Sequence, residues 1–343
     1  MNGFERISAV MNGEKPDTVP IMLHNFMMAA SEYGASMAEF RSDPKVAAGA
    51  FIASVEKYGF DGVLVDFDTA TLAEAIGVPT DHPENEPARC KAGLLTDLKQ
   101  VERLKPVDLA NNPRVNIWLE TVRLVKSYFG NEIFVRGNCD QCPFSLASLV
   151  RSISLWMMDL LDEVERESVY RLLDYCADVT IQFINLMAET GADMLSNGDS
   201  TAGPELISPD DYRRFALPWE KRVVGAAHRV SLPFILHICG NTLPILKDML
   251  ESGADGVELD FKTDPVKARD IIKKNAVFFG NIDPSGVLAL GSVENVQLTT
   301  SRLLEVFSGN DRFVLNAGCA IPSGTPSENI ITMINTARSF GIR

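Results

Sequence analysis

No apolar run in this sequence approaches the roughly 20 residues needed to cross a bilayer. The first residues, Met1-Asn-Gly-Phe-Glu-Arg, contain no signal-peptide apolar segment. Both absences point to a cytoplasmic protein with no membrane partner. Positive charge is in deficit as well: 32 Lys and Arg against 46 Asp and Glu leave a formal net charge of -14. That balance opposes binding to nucleic acid or to an anionic membrane surface. Cysteine is sparse. Six thiols, at positions 90, 139, 142, 176, 239 and 319, are too few in 343 residues for a disulfide scaffold. Reduced thiols, free for metal binding or catalysis, are the expectation. There is no glycine-rich phosphate loop after an early strand, which a doubly wound nucleotide-binding fold would need, and no internal repeat.

What is present is a regular alternation of short apolar runs with helical patterns. Buried strands are expected at Thr18–Leu23, Gly62–Asp66, Glu132–Arg136, Gly191–Leu195, Phe234–Leu236, Gly256–Asp260, Ala276–Gly280 and Phe313–Asn316. Helical spacing fills the intervals, among them Pro44–Tyr58, Asn116–Phe129, Phe144–Leu161, Glu163–Thr190, Asp210–His228 and Thr325–Phe340. Eight strands alternating with helices predict an α/β fold, a single (β/α)8 TIM barrel spanning residues 1–343. Residues 80–113, rich in Pro, Asn and charge, and residues 203–209 read as excursions covering one face.

In such barrels the active site lies at the C-terminal strand ends. Those ends carry Asn25, Asp66 and Asp68, Asn138 and Cys139, Asn197 and Asp199, His237 and Cys239, Glu258 and Asp260, Asn281 and Asp283, Asn316 and Cys319. Asp and Asn at these places also serve as helix caps. His and Cys do not, so the His237-Ile-Cys239-Gly240 segment stands out. Residues i and i+2 of a strand point the same way, so His237 and Cys239 can address one ion. A His-x-Cys pair alone is equally what a packed core contains. The thiol of Cys319 repeats the placement past another apolar strand beside Gly318. Three such donors would make a Cys2His zinc site with one open position, as catalytic zinc sites have.

Four motifs carry a resemblance to a known family. Asn316-Ala-Gly318-Cys319-Ala-Ile-Pro322-Ser-Gly324-Thr325-Pro326-Ser-Glu328-Asn329 resembles the C-terminal signature of the uroporphyrinogen decarboxylase superfamily. So do Gly280-Asn281-Ile282-Asp283-Pro284, Asp66-Phe-Asp68 with Ala75-Ile-Gly77, and Leu206-Ile-Ser-Pro209 with Phe215 and Pro218. The resemblance covers nearly the whole chain. Its decarboxylase branch implies an arginine-rich segment after the first strand, which grips substrate carboxylates. Here that stretch is His24-Asn25-Phe26-Met27-Met28-Ala29, with no arginine before Arg41, and Cys319 stands where those enzymes have His.

The zinc-bearing branch, the methylcobamide:thiol methyltransferases that include the coenzyme M enzymes, matches at His237, Cys239, Gly240 and Cys319. It implies Zn2+ as cofactor and a methyl-corrinoid as co-substrate, free or on a corrinoid carrier protein, with a small-molecule thiol such as coenzyme M or homocysteine as acceptor. A thiol entering zinc's open position loses its proton and attacks the corrinoid methyl group, and Co(I) departs. Asp199 and Glu258 are candidates for zinc's fourth position or for orienting His237. Asp68, Asn281 and Asn25 are candidate catalytic or substrate-binding residues, although Asp68 also suits a helix cap. Cys139 is a candidate fourth ligand, Cys142 a small-residue replacement, and Cys90 and Cys176 inert. The alternatives are a decarboxylase-like lyase, a tetrahydrofolate-linked corrinoid methyltransferase, or a corrinoid-protein partner without turnover.

Overall fold

The computed structural model describes residues 1–340. Its barrel strands are β1 (Met22–Leu23), β2 (Gly62–Val65), β3 (Phe134–Gln141), β4 (Met194–Gly198), β5 (Phe234–Ile238), β6 (Gly256–Leu259), β7 (Val277–Ile282) and β8 (Phe313–Ala317). They form one parallel sheet in sequence order. A parallel bridge from Ile21 to Leu315, joined by the Leu315 N–H to Pro20 carbonyl bond, brings β8 back to β1. The expected eight-stranded α/β barrel is therefore the fold.

Alternation along each strand divides the barrel interior into layers. Met22, Phe134, Met194, Ile235, Val277 and Val314 make an apolar floor, closed from below by Ile7 and Val10 of helix Gly3–Asn12. Two residues further along, the inward positions become polar: His24, Arg136, His237 and Glu258 line the cavity above. The outward faces pack on helices. Pro44–Tyr58 contributes Phe51 and Val55, and Pro113–Phe129 contributes Trp118 and Val122. Each such side chain, fully buried, contributes about 1.5–3 kcal/mol. Both helices have proline in the first turn behind an Asp or Asn cap, Asp43 and Asn112, that bonds the orphan N–H groups.

Several boundaries differ from the sequence reading. β3 runs on to Gln141, and β4 ends at Gly198. The pattern 144–161 is two helices, Pro143–Arg151 and Ile153–Asp159, because Ser152 takes a positive φ of 78° between them. The pattern 210–228 also divides, into Pro209–Phe215 and Leu217–Arg229. Pro218 lacks the N–H that a continuous helix would need there. A helix at Phe26–Tyr33, with Phe26, Met28, Ala29 and Ala30 buried, was absent from the reading. The excursion 80–113 forms a hairpin, Thr80–Asp81 against Arg89–Cys90, and two short 3-10 turns. Pro87 of this segment lines the cavity wall. Among the described residues, no helix is long and apolar enough to cross a membrane.

Candidate metal centre

A cavity of about 310 Å³ opens at the C-terminal end of the barrel. His237, Cys239 and Cys319 share its wall. His237 Nε2 lies 3.2 Å from Cys239 Sγ, and the donor atoms of all three residues lie within 4.8 Å of one another. Zinc–sulfur and zinc–nitrogen bonds of about 2.0–2.3 Å in a tetrahedron put donors about 3.3–3.8 Å apart. The donor set therefore fits zinc with shifts no larger than a rotamer adjustment. Among the described residues, no carboxylate joins the group, and the two cysteines are only half-buried, on the cavity side.

Two glycines allow the approach. Gly240 has φ 86°, and its N–H donates to Asp260 Oδ2 at 2.9 Å, turning the chain just past Cys239. A Cβ on Gly318 would sit 2.4 Å from the Phe261 backbone nitrogen, so only glycine lets the chain pass there before Cys319.

Charge is organised around the sulfurs. A hydrogen bond from the Cys319 thiol, opposed by burial and aided by the His237 charge and the Ser200 hydroxyl, holds Cys239 down at about 3. The Cys319 thiol is pushed well up by the same bond and by burial. Burial works against charging His237, yet the Cys239 thiolate and Glu258 raise it to about 9. Without metal the site is thus a thiolate–imidazolium pair with a second, protonated thiol. Ser200 Oγ donates to Cys239 Sγ at 3.1 Å. His237 Nδ1 lies 3.0 Å from the Glu258 carbonyl and 3.5 Å from its Oε1. In a neutral ring Nδ1–H donates there, leaving Nε2 as the ligand atom.

Glu258 lines the cavity and orients His237 from behind. Its Oε2 accepts from Arg136 Nη1 at 2.5 Å and from Asn316 Nδ2 at 3.1 Å. Asp68 also lines the cavity, but both of its oxygens are engaged. Oδ1 accepts from Ala70 N and Thr71 Oγ1, opening the next helix, and Oδ2 pairs with Arg114.

Four expected site residues are corrected. Asn25 donates to Ser54 Oγ at 2.8 Å behind the wall. Asn281 ties the loop after β6, donating to the Asp260 and Thr263 carbonyls. Cys139 is fully buried in the helix-facing core, because β3 alternates and its neighbours Asn138 and Arg136 take the inward face.

Asp199 also turns outward. Its Oδ1 accepts from Ser145 N at 2.7 Å, and Oδ2 has no donor in a fully enclosed space shared with Glu220 Oε1. Tyr212 donates to the other Glu220 oxygen at 2.5 Å. Burial raises Asp199 to about 6 and, with the Asp199 charge, lifts Glu220 well above the ordinary range. The folded Asp199 therefore binds its proton more tightly than an unfolded one. That stability is fully present below about pH 4 and is lost as pH rises through 6. Asp199→Asn, which cannot ionise, is expected to stabilise the fold at pH 8 by on the order of 1–3 kcal/mol. Urea unfolding should show a smaller gain at pH 5; an equal gain at both would refute the burial-raised Asp199.

Sequence reasoning left the roles of Arg136, Ser200 and the His24–Asp66 pair unassigned. The inward period of two, counted from Phe134 and Met22, would have found Arg136 and His24.

Comparison with known proteins places this geometry among relatives. The family model described as uroporphyrinogen decarboxylase (URO-D) matches residues 2–340. The chain is 31% identical over 341 residues to a methylcobamide:CoM methyltransferase, MtbA, of Methanosarcina acetivorans, covering 98% of this chain and 97% of that one. It is 30% identical to a uroporphyrinogen decarboxylase of Microcystis aeruginosa, over 82% of this chain and 79% of the relative. A solved methyltransferase from Methanosarcina mazei superposes with a TM-score of 0.89 at 26% identity, covering 99% of each chain.

Proposed function

This chain belongs to the uroporphyrinogen decarboxylase family, and from that premise we propose that it is a methyltransferase carrying a methyl group from a methyl-corrinoid to a thiol, with zinc held by His237, Cys239 and Cys319. The observation that carries this reading is the cluster of three donors within 4.8 Å on the wall of the barrel-mouth cavity. It occurs in a chain aligned almost end to end with a methylcobamide:CoM methyltransferase. Zinc bound there would supply a Lewis-acidic centre that favours ionisation of an incoming thiol.

The protein's own residues do the rest. Glu258 and its carbonyl hold the His237 ring with Nε2 toward the sulfurs. Ser200 donates to Cys239 and limits its basicity. Gln141 sets a free side-chain amide on the cavity wall for the acceptor's tail, whereas the Asn138 amide is bonded to Asp66 and Ser196 and that of Asn197 to the Cys139 carbonyl. At about 310 Å³ the space is at the lower end for ligand pockets and suits a small thiol. The much larger corrinoid must present its methyl group at the mouth, on a carrier protein or free. Enclosure of the acceptor fixes its sulfur for an in-line displacement.

The decarboxylase reading fares worse on electrostatics. Asp66, Asp68, Arg136 and Glu258 are the charged carboxylate and guanidinium residues on the wall besides the donor triad. Arg136 is already committed to Glu258. A porphyrinogen's carboxylates would enter without the paired cations that buried charge requires.

Purified protein is expected to hold about one zinc per chain, since the site has one donor set, and to methylate a thiol with methylcobalamin as donor. Metal analysis alongside a thiol panel checks both. A metal-free protein with undiminished turnover, or one that only decarboxylates porphyrinogens, would sink the reading.

A further inference from the structure

Past Asn138 the alternation of β3 is broken. Counting inward positions from Arg136 and Asn138, Asp140 would point into the barrel next. The pairing of β3 with β4 instead shifts register between Asn138 and Gln141. Within that shift Asp140 takes a positive φ of 60° and turns away, its Oδ2 accepting from the Leu72 N–H at 2.7 Å. Gln141 takes the inward place and lines the cavity.

Gln141 is 7% exposed. Its backbone carbonyl accepts from Thr180 Oγ1 at 3.1 Å, while its side-chain amide is free on the cavity wall. Neither amide atom is enclosed, in contrast to the unpartnered Asn197 Oδ1. Apart from the metal donors, the charged groups of this wall are already paired. Arg136 meets Glu258, Asp68 meets Arg114, and His24 Nε2 lies 2.6 Å from Asp66 Oδ2. A polar head group entering beside Gln141 therefore meets a neutral amide rather than an unpaired cation.

That amide borders a niche beside the metal donors. A Cβ on Gly198, the last residue of β4, would lie 3.7 Å from Gln141 Nε2 and 4.0 Å from both His237 Cδ2 and Ser200 Oγ. Because Gly198 has no side chain, this carbon-sized point is open to a ligand. A sulfur at the metal centre and a head group at Gln141 are joined through it by a spacer of about two or three carbons, at ~1.5 Å per bond. We propose that the niche bounded by Gly198, Gln141 and Ser200 holds the tail of the acceptor, and that Gln141 sets specificity for short thiols with an oxygen-bearing head group. A hydroxyl and a sulfonate are two sources of the same oxygen acceptor, and both are recognised by hydrogen bonding to the amide. This inference rests on the methyl-transfer reading above.

The test uses the full-length zinc protein. Ethanethiol, mercaptoethanol and mercaptoethanesulfonate share one spacer and differ in head group. Each is titrated by calorimetry without corrinoid, and turnover with methylcobalamin gives KM and kcat separately. Gln141→Leu keeps all three zinc donors, so its zinc content should equal that of the wild type. Relative to the change for ethanethiol, its Kd should rise about 3–10-fold for mercaptoethanol and about 10–100-fold for the sulfonate, the spans of a neutral and a charged hydrogen bond. The loss should fall on KM rather than kcat, as loss of uniform binding does. Gln141→Glu, nearly isosteric, should reject the sulfonate most strongly, because it adds a negative charge where the donor was. Gly198→Ala puts a methyl group in the niche and should weaken ethanethiol about 10-fold more than methanethiol, whose single carbon ends short of it.

Gln141 variants that weaken all three thiols alike, or none, would overturn the specificity role and leave the methyl-transfer reading standing. Gly198→Ala weakening methanethiol as much as ethanethiol, or neither, would overturn the niche. A zinc protein that shows the expected binding shifts but never transfers a methyl group would instead remove the methyl-transfer reading and support the niche as a thiol site.

Discussion

Cys319→Ser is expected to lose its zinc during purification and to transfer methyl groups at least about 10³-fold more slowly than the wild type. Loss of an outer-shell partner alone costs about 10–100-fold in affinity or activity, and a direct ligand should cost more. A serine hydroxyl does not ionise near neutral pH and is a poor match for the soft donor set. Its hydroxyl can still donate to the Cys239 sulfur, as the Cys319 thiol does, so the loss expected is that of a metal ligand and not of the Cys239 thiolate. Cys239→Ser and His237→Ala should behave alike, because each removes one of three donors from the same cluster. Cys139→Ala is the matched control. Its thiol is buried on the helix-facing side of β3, and its zinc content should stay at the wild-type level. Metal analysis of the four proteins, with methylcobalamin turnover, checks the set. A Cys319→Ser protein with full zinc and full rate would end the assignment of that ligand.

The second large effect is on the fold. Glu258→Ala should destabilise the protein by about 3–5 kcal/mol, the usual result of leaving one partner of a buried ion pair alone. Arg136 is 2% exposed, crosses the barrel interior from β3 to β6, and has Glu258 as its carboxylate partner at 2.5 Å. Its Nε has no acceptor at all, so removal of the carboxylate leaves the guanidinium almost unpaired. Such a loss is a large part of a typical stability of about 5–15 kcal/mol.

The same pair sets an acid limit. Burial alone would raise Glu258, but Arg136, His237 and His24 outweigh it and bring it to about 2 from an ordinary 4.5. A depressed folded value means the stabilisation is fully present above about pH 4.5 and is lost as pH falls through 2. The cost of Glu258→Ala should therefore shrink in that window. Urea unfolding with zinc chelated isolates this effect from metal binding, since His237 touches both. The double variant Arg136→Met, Glu258→Leu should recover most of the loss, because buried pairs are often replaceable by apolar groups of similar volume. A Glu258→Ala protein within about 1 kcal/mol of the wild type would show that the pair is solvated.

The two predictions draw on parts of the molecule that were legible to different degrees. His237 and Cys239 could be paired from their spacing, because a strand returns its side chains to one face every second residue. Cys319 joined them through its place beyond another apolar run and through the family resemblance. Arg136 was the last residue of an expected strand, and nothing in its neighbours said that it would span the barrel to reach Glu258. That contact joins β3 to β6 over a separation of 122 residues, and no local pattern encodes it.

The misplaced residues share one cause. A boundary uncertain by one or two positions is ordinary, and an error of one position exchanges the two faces of a strand. Cys139 was expected just past the end of a strand, on the rim. β3 continues to Gln141 instead, which turns Asn138 inward and Cys139 into the helix layer. Asp199 follows β4 and looks like a rim carboxylate in the sequence, yet its oxygens meet Ser145 and Glu220 outside the barrel.

Apolar periodicity, the glycine and proline punctuation and the chemistry of His-x-Cys were enough to specify eight strands, a barrel and a sulfur–nitrogen donor set, because each depends on neighbours a few positions away. Which polar side chains face the cavity, which are paired across it, and where His24 meets Asp66 depended on closure of the barrel. Closure brings together strands far apart in sequence and fixes, for each residue at its mouth, whether the side chain faces inward or outward.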